Sequence, residues 1–85
     1  MDKYIERQNP DVENRMIFAS SCVESAARVL GVPAHEMYQR MKAVDLINGY
    51  ILKHYEVLHT ESRENVTEDV IDCLMAWEKR KGQAS

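Results

Sequence analysis

Gly49-Tyr50-Ile51-Leu52-Lys53-His54-Tyr55-Glu56-Val57-Leu58-His59-Thr60 is the stretch on which the fold reading turns. Ile47, Ile51, Tyr55 and Leu58, with Val44 just before them, recur at spacings of three and four, the period of one helical face. Leu46, Tyr50 and Val57 widen that face past half the circumference. A helix apolar over so much of its surface is central, touched from two sides. Asp45 can cap its start, and Leu58-His59-Thr60 ends it, with a histidine near the last carbonyls. Gly49 inside the helix costs about 1 kcal/mol against Ala. Its presence there signals that a neighbour comes close to the backbone.

On the N-terminal side, Asn9-Pro10-Asp11 reads as a helix start: an N-cap, a proline at the first helical position and an acid in the first turn. Val12, Met16, Ala19, Val23, Ala26, Ala27 and Leu30 then form one apolar stripe, and Gly31 supplies a left-handed stop. Val32-Pro33 opens a turn, since proline disfavours helix at the residue before it. Met37, Tyr38 and Met41 mark a short second helix.

On the C-terminal side, Asn65 with Glu68 has the form of a capping box. Val66, Val70, Cys73, Leu74 and Trp77 make the buried stripe of a last helix. Lys79, Arg80 and Lys81 sit where that helix's own dipole favours cations, and Gly82 is its expected stop. The predicted fold is all-α, a compact single-domain bundle of four helices near residues 10–30, 34–42, 45–59 and 66–81. Residues 1–9 are expected as a flexible arm, 10–82 as the helical domain and 83–85 as a tail.

Bulk properties bound the function. The chain has 85 residues, 45% of them hydrophobic and 29% charged, with a net charge of −3. That length gives one core and little room for a deep catalytic cleft. The balance is mildly acidic and the cations are scattered, which disfavours nucleic acid as a partner. The opening Met1-Asp2-Lys3-Tyr4 is polar and no long apolar run follows, so neither an export signal nor a membrane span is expected. The default location is the cytoplasm. Cys22 and Cys73 lie on helical stripes without zinc-site spacing and read as buried free thiols.

No residue set assembles a reaction. His54 and His59 are five apart and would point about 140° from each other on a helix, and His35 belongs to another element. Tyr50 with His54 and Tyr55 with His59 are i,i+4 pairs, better explained as packed rings than as proton-transfer couples. Ser20-Ser21-Cys22 lacks a glycine elbow, and the three glycines are too dispersed for a phosphate loop. The expectation is therefore no enzyme, no cofactor and no metal. Met16, Met37, Met41 and Met75 suit a core; the alternative is that some line a partner groove, where thioethers adapt to a surface.

From Tyr50-Ile51 through Tyr55-Glu56-Val57-Leu58-His59-Thr60 to Glu68-Asp69-Val70, the chain resembles a family of short bacterial proteins of unknown function. An earlier block, Gly31-Val32-Pro33-Ala34-His35-Glu36-Met37-Tyr38, belongs to the same pattern. The resemblance runs from about residue 14 to residue 78. Tyr50, Tyr55, Leu58, His59 and Thr60 carry the signature. Members often have an acid where this chain has Gly49, and an aromatic where it has Asn65. Members are often encoded beside proteins resembling ADP-ribosyltransferases. The resemblance thus implies an antitoxin-like or accessory partner of such a neighbour. The resulting expectation is a protein-binding module, with Tyr4, Tyr38 and Tyr50 as aromatic anchors and self-association as a further outcome. A DNA-binding transcriptional regulator is the alternative, weakened by the lack of a basic recognition helix.

Overall fold

The computed structural model describes residues 10–84. The expected arm at residues 1–9, the Asn9 cap and Tyr4 lie outside the described residues. Helix α1 spans Pro10–Leu30 and α2 spans Ala34–Ala43. A π-helical turn, Ile47–Ile51, and a four-residue helix α3, Tyr55–Leu58, follow, and α4 spans Arg63–Ala84. Among the described residues there is no strand. The all-α class stands, with a correction to the four-helix count. The single helix expected over 45–59 is two short pieces, giving three long helices and two short ones among the described residues.

The end of α1 is the glycine stop read from the sequence. Gly31 has φ +70. The Val32 amide donates to the Ala27 carbonyl at 3.0 Å and the Gly31 amide to Arg28 at 3.3 Å. These are the two reverse bonds of a Schellman cap. Pro33, extended at φ −64 and ψ 148, then accepts the Met37 amide at 3.1 Å and starts α2.

Two expected caps are corrected. Asp45 is not a side-chain N-cap: it takes φ 55, and its amide donates to the Lys42 carbonyl at 3.1 Å, closing α2. A short Asx residue tolerates this left-handed conformation better than most side chains. Its own carbonyl accepts the Gly49 amide at 2.9 Å and so begins the next turn. At α4, the Ser62 hydroxyl, three residues upstream of the expected cap, accepts the Asn65 amide at 3.2 Å. The helix accordingly starts at Arg63, and it continues through Gly82 to Ala84 rather than stopping at Gly82.

The break in the third helix has a readable cause. The Leu52 amide donates to the Ile47 carbonyl at 2.8 Å, an i→i+5 bond. Leu46 and Ile51, five apart, are both fully buried. On a straight α-helix they would diverge by about 140°; the wider turn brings them to one side. The central stripe is therefore Leu46, Ile51, Tyr55 and Leu58, whereas Val57 is exposed and Ile47 and Val44 are only partly buried. Burial of Ile51, Tyr55 and Leu58 agrees with the sequence reading.

Small residues on α1, among them Ala19, Cys22 and Ala26, let α2 insert Met37 and Met41, both fully buried. Val66, Val70 and Leu74 close the core from α4. Charged side chains tie the helices at their edges. Arg40 donates to both carboxylate oxygens of Glu78, at 2.9 and 2.8 Å, joining α2 to α4. Lys81 donates to the Ala43 carbonyl at 3.0 Å. Part of the basic cluster thus serves the C-terminal end of α2, beyond its expected service to α4.

Candidate functional site

The site follows from a mismatch of lengths. Helix α1 has 21 residues and α2 has 10, or about 31 Å against about 15 Å at the helical rise. The apolar stripe of α1 is longer than α2 can cover, and α4 packs on α1 as well. Ala19, Val23, Ala26 and Ala27 are buried as expected, but Val12 and Met16 are 54% and 61% exposed. Ile17, outside the expected stripe, is 63% exposed. Of the four methionines expected in the core, Met37 and Met41 are there, while Met16 and Met75 are exposed.

A groove of about 670 Å³ opens between α1, the length of α2 and the π-helical turn. Ala19, Val23, Ile47 and Leu52 give it an apolar lining, and Met16 and Tyr38 stand on it. Its charged and polar lining has both signs: Glu24 and Asp45 against Lys42, with His35 and Asn48 beside them. The left-handed Asp45 and the π-turn that follows it contribute Asp45, Ile47, Asn48 and Leu52. Single π-turns inside helical segments occur often at functional sites.

Of the expected anchors, Tyr38 lies in the groove and is 43% exposed. Tyr50 does not join it. It is half-buried, edge-on to His54 at 5.4 Å and to Trp77 at 6.4 Å between centroids. Removal of its ring from water raises the phenol pKa, and the charge of Asp69 adds to the shift. The structure thus separates the two tyrosines.

Of the signature residues, Tyr55 and Leu58 turn inward, Tyr50 is half-buried, and His59 and Thr60 are exposed. Tyr55 is buried, stacked on His59 at 4.5 Å and 12° and edge-on to Phe18 at 5.4 Å. Arg15 lies over its ring at 4.6 Å. Leu58 is in the core, and the Thr60 hydroxyl donates to the Val57 carbonyl at 2.8 Å. Arg15 also pairs with Asp11 and Glu56, each at 2.9 Å, and donates to the Leu52 carbonyl at 3.4 Å. The Glu56 pair ties the short helix α3 to α1, and the Leu52 bond ties the end of the π-helical turn to it. Sequence reading missed this role of Arg15, because its partners Leu52 and Glu56 belong to a segment whose helical phase is shifted.

The thiols differ. Cys22 is fully buried, and desolvation pushes its pKa up to about 11 despite the opposing charge of Arg63. Cys73 is half-buried, and desolvation again raises its pKa. Neither has the lowered pKa of a nucleophilic thiolate. Among the described residues, no three His, Cys, Asp or Glu stand together as a metal site, and no helix is long and apolar enough to cross a membrane.

Fold and groove together define a small all-α protein with a largely apolar groove between its first two helices. The family model for a protein of unknown function, DUF3791, matches residues 17–77. The chain belongs to that family. Comparison with curated proteins and with solved structures gave no match.

Proposed function

We propose that this chain is a small cytoplasmic protein-binding module that acts by contact and not by catalysis. The observation that carries the reading is the groove between α1 and α2. Ala19, Val23, Ile47 and Leu52 give it apolar lining, Met16 and Tyr38 stand exposed on it, and Glu24, His35, Lys42, Asp45 and Asn48 add polar groups. Contact surfaces commonly combine an aromatic anchor, an adaptable thioether and a polar rim. The partner that suits the resemblance is the product of a neighbouring gene, an ADP-ribosyltransferase-like protein restrained in antitoxin-like fashion.

The competing reading, a DNA-binding regulator, has less support. Of the basic cluster, Lys81 is engaged with Ala43 and Arg80 lies over the Trp77 ring at 5.7 Å.

Co-expression with the neighbouring gene product, followed by pull-down, tests the proposal. Capture by the wild-type chain and its loss with a folded Tyr38→Ala variant is the expected result. Failure to capture the partner, or turnover of a substrate by the pure protein, overturns it. A DNA mobility shift abolished by salt would favour the regulator instead.

A further inference from the structure

The π-helical turn holds one residue more than its surroundings need. Four residues, Ile47 to Tyr50, separate Leu46 from Ile51, and both of these are fully buried. An α-helix joins two such positions of one face across three residues. The bond from the Leu52 amide to the Ile47 carbonyl, at 2.8 Å, takes up the extra residue. The Gly49 amide to Asp45 and the His54 amide to Tyr50, at 2.9 and 3.0 Å, keep the ordinary step of four. Contacts indicate which residue is extra. Ile47 packs against the core, Gly49 lies against the Trp77 ring, and Tyr50 is edge-on to that ring. Asn48 is exposed and lines the groove. Among the described residues its carboxamide has no hydrogen-bond partner.

Two irregularities stand together here. Asp45 holds φ 55, and the π-turn starts two residues later. A left-handed residue other than glycine costs stability, and such outliers gather at functional sites. A π-turn has the geometry of a single residue inserted into an α-helix, and it too recurs at such sites. We infer that Asn48 is an insertion that the core does not require, and that the π-turn is a device for changing helical phase. It keeps Ile51, Tyr55 and Leu58 on the core while it sets Asp45 and Asn48 out along the groove. The insertion stands whatever the groove holds. Its use rests on the reading above that the groove is a contact surface, and it deepens that reading by naming the turn as the part that shapes the surface.

Thermal denaturation of single-residue deletions in the full chain reads the insertion. Deleting Asn48 sets Leu46 and Ile51 four apart and lets the Leu52 amide reach Ile47 as an ordinary helical bond. This variant is expected to unfold cooperatively, with a melting temperature at or above that of wild type. Deleting Asp72, exposed in the middle of α4, is the control. It turns Leu74 and Trp77 by about 100° away from Val66 and Val70, and is expected to lower the melting temperature by about 10 °C or more. A second measurement checks the phase: Leu46→Ala is expected to destabilise the Asn48-deleted chain as much as the full one. A deletion of Asn48 that melts below wild type overturns the insertion, as does a deleted chain indifferent to Leu46→Ala. Pull-down of the neighbouring gene product reads its use. The folded Asn48-deleted chain is expected to lose the capture that wild type shows, and undiminished capture overturns the phase device while the binding-module reading stands. A wild type that captures nothing removes that reading, and the melting temperatures still decide the insertion.

Discussion

The indole of Trp77 lies against the backbone of Gly49, so near that a Cβ there would stand 3.3 Å from both Cη2 and Cζ3. This is where α4 meets the π-helical turn. Two effects of Gly49→Ala oppose each other. Alanine favours helical backbone by about 1 kcal/mol, while the added methyl presses on a ring already flanked by Tyr50 and Arg80. Overpacking costs roughly 1–3 kcal/mol, so steric pressure is expected to win and Gly49→Ala to lower the melting temperature. In a Trp77→Leu background the pressure is relieved, and the same substitution is expected to be neutral or stabilising. Equal effects in both backgrounds would show that the ring does not set the need for glycine.

A second test separates the π-turn from a straight helix. Leu46 and Ile51 are fully buried and Ile47 only partly so. Truncating a buried Leu or Ile to Ala costs about 2–5 kcal/mol. Leu46→Ala, Ile51→Ala and Leu58→Ala are expected to fall in that range, with Ile47→Ala clearly below it. A straight α-helix would rank Ile47 with Ile51. Chemical denaturation of the four variants decides, and an Ile47→Ala cost equal to that of Leu46→Ala would sink the shifted phase.

These two regions also show what the sequence could and could not tell. The boundaries of α1 and α2 were legible because local chemistry decides them: Gly31 in the left-handed region, and Pro33 before the next helix. The close approach at Gly49 was legible because a mid-helix glycine needs a reason. The π-turn was not, although a signal existed. Leu46 and Ile51 are both apolar and five apart, a step that a 3.6-residue template discards. The cap at Ser62 was missed: Ser62 and Asn65 are both hydrogen-bonding residues, three apart, and the apolar positions Val66 and Val70 do not distinguish them. At the groove, Tyr38 was named from residue type, whereas Met16 was read first as core. Val12 and Ile17 were not found as surface, since an apolar stripe does not record how long its covering helix is. Comparing the expected spans, 10–30 against 34–42, would have exposed that overhang.

The Arg40–Glu78 pair sets an expected acid response. Its hydrogen bonds hold the Glu78 carboxyl below its ordinary value of 4.5 in the folded protein. A folded value below the unfolded one means the stabilisation is present above pH 4.5. It is lost as the pH falls through the lowered folded value. The pair is partly exposed, so its worth is about 0.2–1 kcal/mol. Glu78→Gln is expected to be less stable than wild type at neutral pH, with the gap closing in acid. A gap that is constant with pH would mean the carboxylate's charge contributes nothing.

The two cysteines should react at very different rates, and the difference reports on the core. Cys22 is fully buried, with its pKa pushed up to about 11, so at neutral pH it is a thiol without access to solvent. Cys73 is half-buried on α4, where the charge of Arg80 partly opposes the desolvation that raises its pKa. Alkylation follows the thiolate fraction and its access. Iodoacetamide under native conditions is therefore expected to label Cys73 first and Cys22 only when the protein opens. Mild denaturant should accelerate Cys22 far more than Cys73, because the core that covers Cys22 must separate. Peptide mass spectrometry over a time course distinguishes the sites. Equal native rates would mean that the core around Cys22, Met37 and Val70 is not closed, and the destabilisation expected for Leu46→Ala would fall with it.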